Sequence, residues 1–166
     1  MFREMRRSKQ ALSKEECTAI LERGTSGVLA LLGDEDYPYA VPLSYVYLKE
    51  ENKIVFHCAK VGHKIDAARS HEKASFCVID KDQVVAETYT THFRSVIAFG
   101  RIHIPEDPAA IRRAIEPLAA KYAPLDTKAN RDAAIDREFS GLCIMELHVE
   151  HMTGKQAVEL LKQAQK

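Results

Sequence analysis

The densest run of chemically competent side chains is Phe56-His-Cys-Ala-Lys-Val-Gly-His-Lys64. A strand-like apolar segment ends there, a glycine turn follows, and a helix begins with His63 and Lys64. Such a helix start offers free backbone amides at the positive end of the helix dipole, and Lys64 adds a full charge. A phosphate monoester carries about −1.5 to −2 charges near neutral pH and needs this kind of cradle. The same spacing suits a plain capped turn with a solvated lysine, and on this stretch alone both readings stand. His57 lies close to apolar neighbours. It is either a satisfied structural imidazole or a group that exchanges a proton near neutral pH.

Two further stretches carry polar groups into strand-like surroundings. In Ala40-Val-Pro-Leu-Ser-Tyr-Val-Tyr47, Pro42 cannot donate to a strand ladder and belongs at an edge or a bulge. The backbone there is either an ordinary edge or a set of groups open to a planar ligand. In Thr90-Thr-His-Phe-Arg-Ser-Val-Ile97, Arg94 and Ser95 enter an apolar strand. They are either the solvent face of an edge or polar groups aimed at an anion. His71, His92, His103, His148 and His151 show no metal-ligand spacing, and His148 and His151 fall at a strand end, so no metal site is expected. The cysteines, Cys17, Cys58, Cys77 and Cys143, form no Cys-x-x-Cys, which argues against structural zinc. Cys58, Cys77 and Cys143 sit in apolar runs and read as buried, reduced thiols of a cytoplasmic protein. No Gly-x-Ser-x-Gly, Gly-x-x-x-x-Gly-Lys-Ser/Thr or Gly-x-Gly-x-x-Gly occurs, so nothing supports a serine hydrolase, a nucleoside triphosphatase or a dinucleotide-binding doubly wound fold.

The elements that must position these groups are mostly strands. Ser13-Lys-Glu-Glu16 has the form of a capping box, opening a helix over 13–23 whose stripe is Cys17, Ile20 and Leu21. Gly24 is a fitting stop, because glycine tolerates a left-handed backbone. Strands are expected over 27–32, 40–48 and 53–59. The last places Ile54, Phe56 and Cys58 on one face and Val55, His57 and Ala59 on the other. A short helix over 62–70 precedes strands over 73–80, 84–90 and 93–104. Asp107-Pro108 caps a helix with Ile111, Ile115 and Leu118 on one stripe, and Pro117 should kink or end it. A polar helix over 128–138, a last strand over 141–150 and a helical tail over 156–165 complete the pass. Closely spaced hairpins favour antiparallel pairing, and six or seven strands with few helices suggest a small barrel, which removes exposed sheet edges by closing.

Composition narrows the class. The 166 residues suit one domain, expected over 1–166 with an N-terminal arm and a C-terminal helix. Lys+Arg and Asp+Glu both number 24, so the formal charge is zero. A dedicated nucleic-acid binder or a polybasic membrane-surface protein would carry a basic excess, so neither partner is expected. The longest aliphatic run, 28–32, is far short of the roughly 20 residues a membrane span needs. Residues 1–10 are polar and basic with no apolar core behind them, so no secretory signal is expected, and the basic patch over 3–9 reads as a solvated arm.

The sequence resembles the 5-nitroimidazole resistance proteins, a branch of the pyridoxamine 5′-phosphate oxidase-like flavoproteins. The resemblance is carried by Met1-Phe-Arg-Glu-Met-Arg-Arg7, Ile20-Leu-Glu-Arg-Gly-Thr-Ser-Gly-Val-Leu-Ala30, Tyr37-Pro-Tyr-Ala-Val-Pro-Leu-Ser-Tyr45, 56–64, Phe76-Cys-Val-Ile79, Arg94-Ser-Val-Ile-Ala-Phe-Gly100 and Thr153-Gly-Lys155, in the right order over most of the chain. It implies a mainly β, six- to seven-stranded antiparallel split β-barrel that binds flavin mononucleotide (FMN) at a homodimer interface. Val41, Pro42, Leu43 and Ser44 match the segment along the flavin ring. His57 and Cys58 match the strand end beside the cofactor, and His63 and Lys64 match the phosphate-binding pair. Arg94 and Ser95 match the strand that reaches the cofactor from the second subunit.

The function so implied is an FMN-dependent, nitroimidazole reductase-like oxidoreductase. A reduced donor, such as NAD(P)H, would pass electrons through FMN to a small acceptor, with His57 as the candidate proton donor or substrate-orienting group. The alternative is a flavin- or haem-binding protein without rapid turnover. The chain has no Trp and lacks the Arg-rich carboxyl-terminal segment by which the oxidase proper holds its vitamin substrate, so pyridoxamine phosphate oxidation is not expected.

Overall fold

The computed structural model describes residues 2–164. Along the chain run α1 (Lys14–Arg23), β1 (Ser26–Leu32), β2 (Pro38–Ser44), β3 (Val46–Leu48), β4 (Lys53–Ala59) and α2 (His63–Ser70). There follow β5 (Lys73–Val85), β6 (Thr90–His103), α3 (Pro108–Tyr122), α4 (Lys128–Glu138), β7 (Leu142–Gln156) and α5 (Val158–Ala164). Residue 165 of the expected tail lies outside the described residues.

The capping box at α1 is formed in full. The Glu16 amide donates to Ser13 Oγ at 3.1 Å and the Ser13 amide to Glu16 Oε2 at 2.7 Å. Gly24 does end the helix, but for a different reason from the one expected. Its backbone is extended, with φ −64° and ψ 142°, so no left-handed turn is involved. A Cβ at Gly24 would instead strike the Tyr45 hydroxyl, so the requirement is for space.

The seven described strands form one antiparallel sheet in the order β2-β1-β5-β6-β7-β4-β3. The expected strand over 40–48 is split at Tyr45, and its halves lie at opposite ends of that order. Two edges joined through one residue must meet in space, so the sheet curls upon itself into a split β-barrel. Pro42 lies on an edge strand, as its missing amide donor requires: it sits within β2, opposite Val28. The break falls at Tyr45, whose backbone is served from α3: its amide donates to Tyr122 Oη at 3.0 Å, and the Tyr122 hydroxyl donates to the Thr25 carbonyl. Tyr122→Phe should therefore cost about 1–2 kcal/mol, because it leaves the Tyr45 amide without its acceptor. Urea unfolding would show this as a lower midpoint at unchanged slope.

Three long strands replace shorter expected ones. The strand expected over 73–80 continues to Val85 as β5, with a register shift between Ile79 and Lys81, whereas the middle of the strand expected over 84–90 is instead the 3-10 turn Ala86–Thr88 that closes the hairpin. Strand β6 starts at Thr90 rather than 93, and β7 runs to Gln156 rather than 150. His148 and His151 are thus inside a strand, not at its end. Within β5, Lys81, Asp82 and Gln83 pair with Arg94, Phe93 and His92 across the β5–β6 hairpin, and Asp80 is the extra residue at the register shift. Helix α3 continues past Pro117 to Tyr122. A proline inside a helix costs about 3 kcal/mol; burial of Ala114, Ile115 and Leu118 against the sheet offsets it.

Two apolar cores result. Inside the curl, Tyr45, Phe56, Phe76 and Met145 pack with Ile20 and Leu21 of α1. On the outer face, Val46, Val55 and Ile144 pack under Ile115 and Leu118 of α3 and Ile135 of α4. No described helix is long and apolar enough to cross a membrane.

Candidate functional site

Strands β2 and β4 and helix α2 build the first part of the site. Gly62 opens α2 at φ +123°, a conformation that L side chains rarely adopt, and no side chain caps the helix. The Ile65 and Asp66 amides return to the Gly62 carbonyl at 2.9 and 3.2 Å. The His63 and Lys64 amides have no carbonyl of the helix to bond. The helix start thus presents two amides free of helix partners and the half-buried Lys64, a combination whose chemistry suits an anion. The His63 ring stacks on Tyr39 of β2, with centroids 4.1 Å apart and planes at 22°. Its Nε2 lies 3.7 Å from Asp34 Oδ2.

On β2, Val41 and Leu43 lean on the inner core, while Pro42 and Ser44 face out. This strand pairs with β1 alone, so its other backbone edge has no ladder partner. His57 and Cys58, adjacent on β4, take opposite faces. Cys58 packs against the inner core, directly across from Cys143 on β7. Burial raises its thiol pKa, the neighbouring Cys143 adds to that, and Lys64 acts in the other direction. His57 is exposed on the outer side. There it joins Ser44 in lining a cleft of about 440 Å³ walled by Leu118 and Tyr122 of α3, Arg131 of α4 and Leu142 of β7. The α3 and α4 walls were not foreseen. The stripe of Ile111, Ile115 and Leu118 announced a helix, but nothing in it said which strands the helix would cover.

Arg94 and Ser95 are not brought to this place. They lie on β6, three strands from β2 in the sheet, which is about 14 Å at the usual strand spacing. Arg94 Nε donates to Asp80 Oδ2 at 2.5 Å, and Arg23 Nε donates to the other oxygen at 2.7 Å. Burial would raise the Asp80 carboxyl, but the hydrogen bonds and charges of Arg23 and Arg94 hold it below the usual carboxylate range. A carboxylate depressed in the folded state contributes stability above its unfolded pKa, about 3.9, and that contribution is lost as pH falls through the folded value. Asp80→Asn should lower stability at pH 7 by about 1–2 kcal/mol, since both arginines keep solvent access. It should cost less at pH 3. Urea midpoints at the two pH values check this, and an equal loss at both would remove the ionic explanation.

No disulfide joins the four cysteines; Cys17 and Cys143 are buried, Cys58 and Cys77 half-buried. Burial pushes the Cys17 thiol up to about 11, which keeps it protonated and unreactive.

Comparison with known proteins agrees with this architecture. Residues 13–156 match the model of the family described as Pyridoxamine 5′-phosphate oxidase. No curated protein sequence matches the chain. Among solved structures, a conserved hypothetical protein from Mycobacterium tuberculosis superposes with a TM-score of 0.78 over 95% of this chain and 92% of its own, at 17% identity. A candidate 5-nitroimidazole antibiotic resistance protein from Bacteroides thetaiotaomicron gives 0.73 over 87% and 85%, at 18% identity. An FAD and haem binding protein from Mycobacterium smegmatis gives 0.72 over 90% and 74%, at 19% identity. At such identities the likeness is one of fold.

Proposed function

The chain belongs to the pyridoxamine 5′-phosphate oxidase family, and from that premise we propose that it is an FMN-dependent oxidoreductase. In this reading it passes electrons from a reduced donor, such as NAD(P)H, to a small acceptor of the nitroaromatic kind. The observation that carries the reading is the uncapped start of α2, with Gly62 at φ +123° and Lys64 beside it, next to β2's unpaired edge. Those residues fit one phosphate monoester: two free amides, one ammonium and a turn open enough for close approach. When bound, the flavin supplies the electron transfer. Lys64 and the amides of His63 and Lys64 hold the phosphate. The free backbone edge of β2, from Val41 to Ser44, would offer its unpaired amides and carbonyls to the ring. The cleft beside Ser44 and His57 takes the acceptor and keeps water from it, and His57 orients the acceptor or delivers a proton to it.

A second copy of the chain completes the site. Across β2, β1, β5 and β6 the outer face presents Pro42, Val28, Cys77 and Ile97 in one row, with Ile79 and Val84 also exposed. An apolar face of this kind favours association. In such a homodimer Arg94 and Ser95, three strands from β2 of their own chain, serve the cofactor of the other copy. The Bacteroides structure, by its description, supports the nitroaromatic acceptor.

A second reading, flavin or haem binding without rapid turnover, is favoured by one observation. His57 is the one titratable side chain of β2 and β4 that lines the cleft. The visible spectrum of freshly purified protein, with the flavin identified after denaturation, tests both. Stoichiometric FMN, with NAD(P)H-dependent consumption of a nitroaromatic, is the expected result. A colourless protein that takes up no added FMN overturns the flavin reading, and FAD in its place overturns the single-phosphate assignment. FMN without turnover, or a haem spectrum, selects the second reading.

A further inference from the structure

On the outer face of the sheet, the end of β6 lies beside β7. His103 stands directly opposite Glu146 in that ladder, and His148 follows two positions along on the same face. We propose that His103, Glu146 and His148 form a binding site for a divalent transition metal ion of the zinc class, with the fourth coordination position open to solvent.

The geometry is that of a ligand set. Glu146 Oε2 lies 3.4 Å from His103 Nδ1 and 3.3 Å from His148 Nε2. All three ligand atoms fall within 4.8 Å of one another. A tetrahedral ion with bonds of about 2.1 Å separates its ligand atoms by about 1.63 × 2.1, or roughly 3.4 Å. Charge-assisted hydrogen bonds are shorter, about 2.7–2.9 Å. The two separations therefore suit a shared ion better than two direct bonds. Two imidazoles and one carboxylate are a donor set that zinc and its neighbours accept, and three protein ligands leave a position for water.

The surroundings support this assignment. Glu146 is 9% exposed and is oriented by Lys53, whose Nζ donates to the other carboxylate oxygen at 2.9 Å. Such an outer partner fixes a ligating carboxylate in place. Lys53 is also bound by Glu51 at 2.6 Å, so its charge does not cancel that of Glu146. Arg101, opposite His148, is likewise taken up by Glu72 and Glu150. The two imidazoles are 61% and 52% exposed, which leaves an entry path for the ion. Sequence spacing could not show the set, because His103 and Glu146 are 43 residues apart and only the β6–β7 ladder joins them.

The test uses the full chain stripped with EDTA and titrated with Zn²⁺ against a chromophoric chelator, with Co²⁺ as the spectroscopic probe. One ion per chain is expected, with the visible absorption of tetrahedral Co²⁺. Both His103→Ala and His148→Ala should weaken binding at least ~10-fold. Both side chains are exposed, so far-UV circular dichroism of the variants should match that of the parent. No binding, or binding that neither substitution weakens, overturns the site. The readout is independent of flavin: a colourless protein that still takes up Zn²⁺ through these residues leaves the site standing.

Discussion

Lys64→Ala is expected to weaken FMN binding by ~10–100-fold, the largest effect of any single surface substitution in this chain. A hydrogen bond to a charged group is worth about 1.5–3 kcal/mol, and each 1.4 kcal/mol is a factor of ten. The uncapped α2 start keeps its two amides in the variant, so residual binding should persist. The lost contribution is the ammonium alone, and the difference between parent and variant should shrink as salt rises. Lys64→Arg should recover part of the affinity, since charge is kept while the reach and fork geometry change. His63→Ala should do less, because the His63 ring is engaged with Tyr39 and the amide at that position survives the substitution. Titration followed by quenching of flavin fluorescence reads all three. Equal affinity for Lys64→Ala and parent would take the phosphate away from α2.

Phe76→Ala should be the most damaging core substitution, at about 3–5 kcal/mol. The Phe76 ring is fully buried and meets both Tyr45 and Phe56 edge-on, each with centroids 4.9 Å apart. Phe76 lies on β5, Phe56 on β4, and Tyr45 is the residue at which the sheet closes. The three rings therefore join the two halves of the barrel across its interior. Removing the middle one empties volume that neither neighbour can refill without leaving its own strand. Domains of this size hold only about 5–15 kcal/mol in total, so the variant should be partly unfolded at 37 °C. Phe76→Leu retains most of the volume and should cost about 1–2 kcal/mol. Equilibrium urea unfolding of the three proteins measures the series. A loss below about 1 kcal/mol for the alanine variant would mean that the rings do not hold the barrel shut.

The metal set and the phosphate cradle use different residues: His103, Glu146 and His148 stand on β6 and β7, His63 and Lys64 on α2. That separation makes their tests independent, and it shows how much of this protein's chemistry is created by strand pairing. His57 and Cys58 illustrate the same point within one strand. As neighbours they look like one group in the sequence, but the pleat sends them to opposite faces. Only His57 reaches the cleft, while Cys58 turns inward beside Cys143.

What the sequence by itself determined is what neighbours along the chain can enforce. The Ser13–Glu16 capping box, the strand Lys53–Ala59 with its two faces, the turn into α2 and the Asp107-Pro108 helix start all follow from contacts within a few residues. The identity of the candidate phosphate cradle was legible for the same reason, since Gly62, His63 and Lys64 are consecutive. Tertiary structure decided the rest. The break at Tyr45 exists because the sheet must close, and Tyr122, 77 residues away, supplies the acceptor that makes it tolerable. Asp80 stays in a strand because Arg23 and Arg94 meet its carboxylate. Helix α3 passes Pro117 because an apolar sheet face lies beneath it. In each of these a local preference was outweighed by partners far along the chain, and no window of sequence contains both members of such a pair.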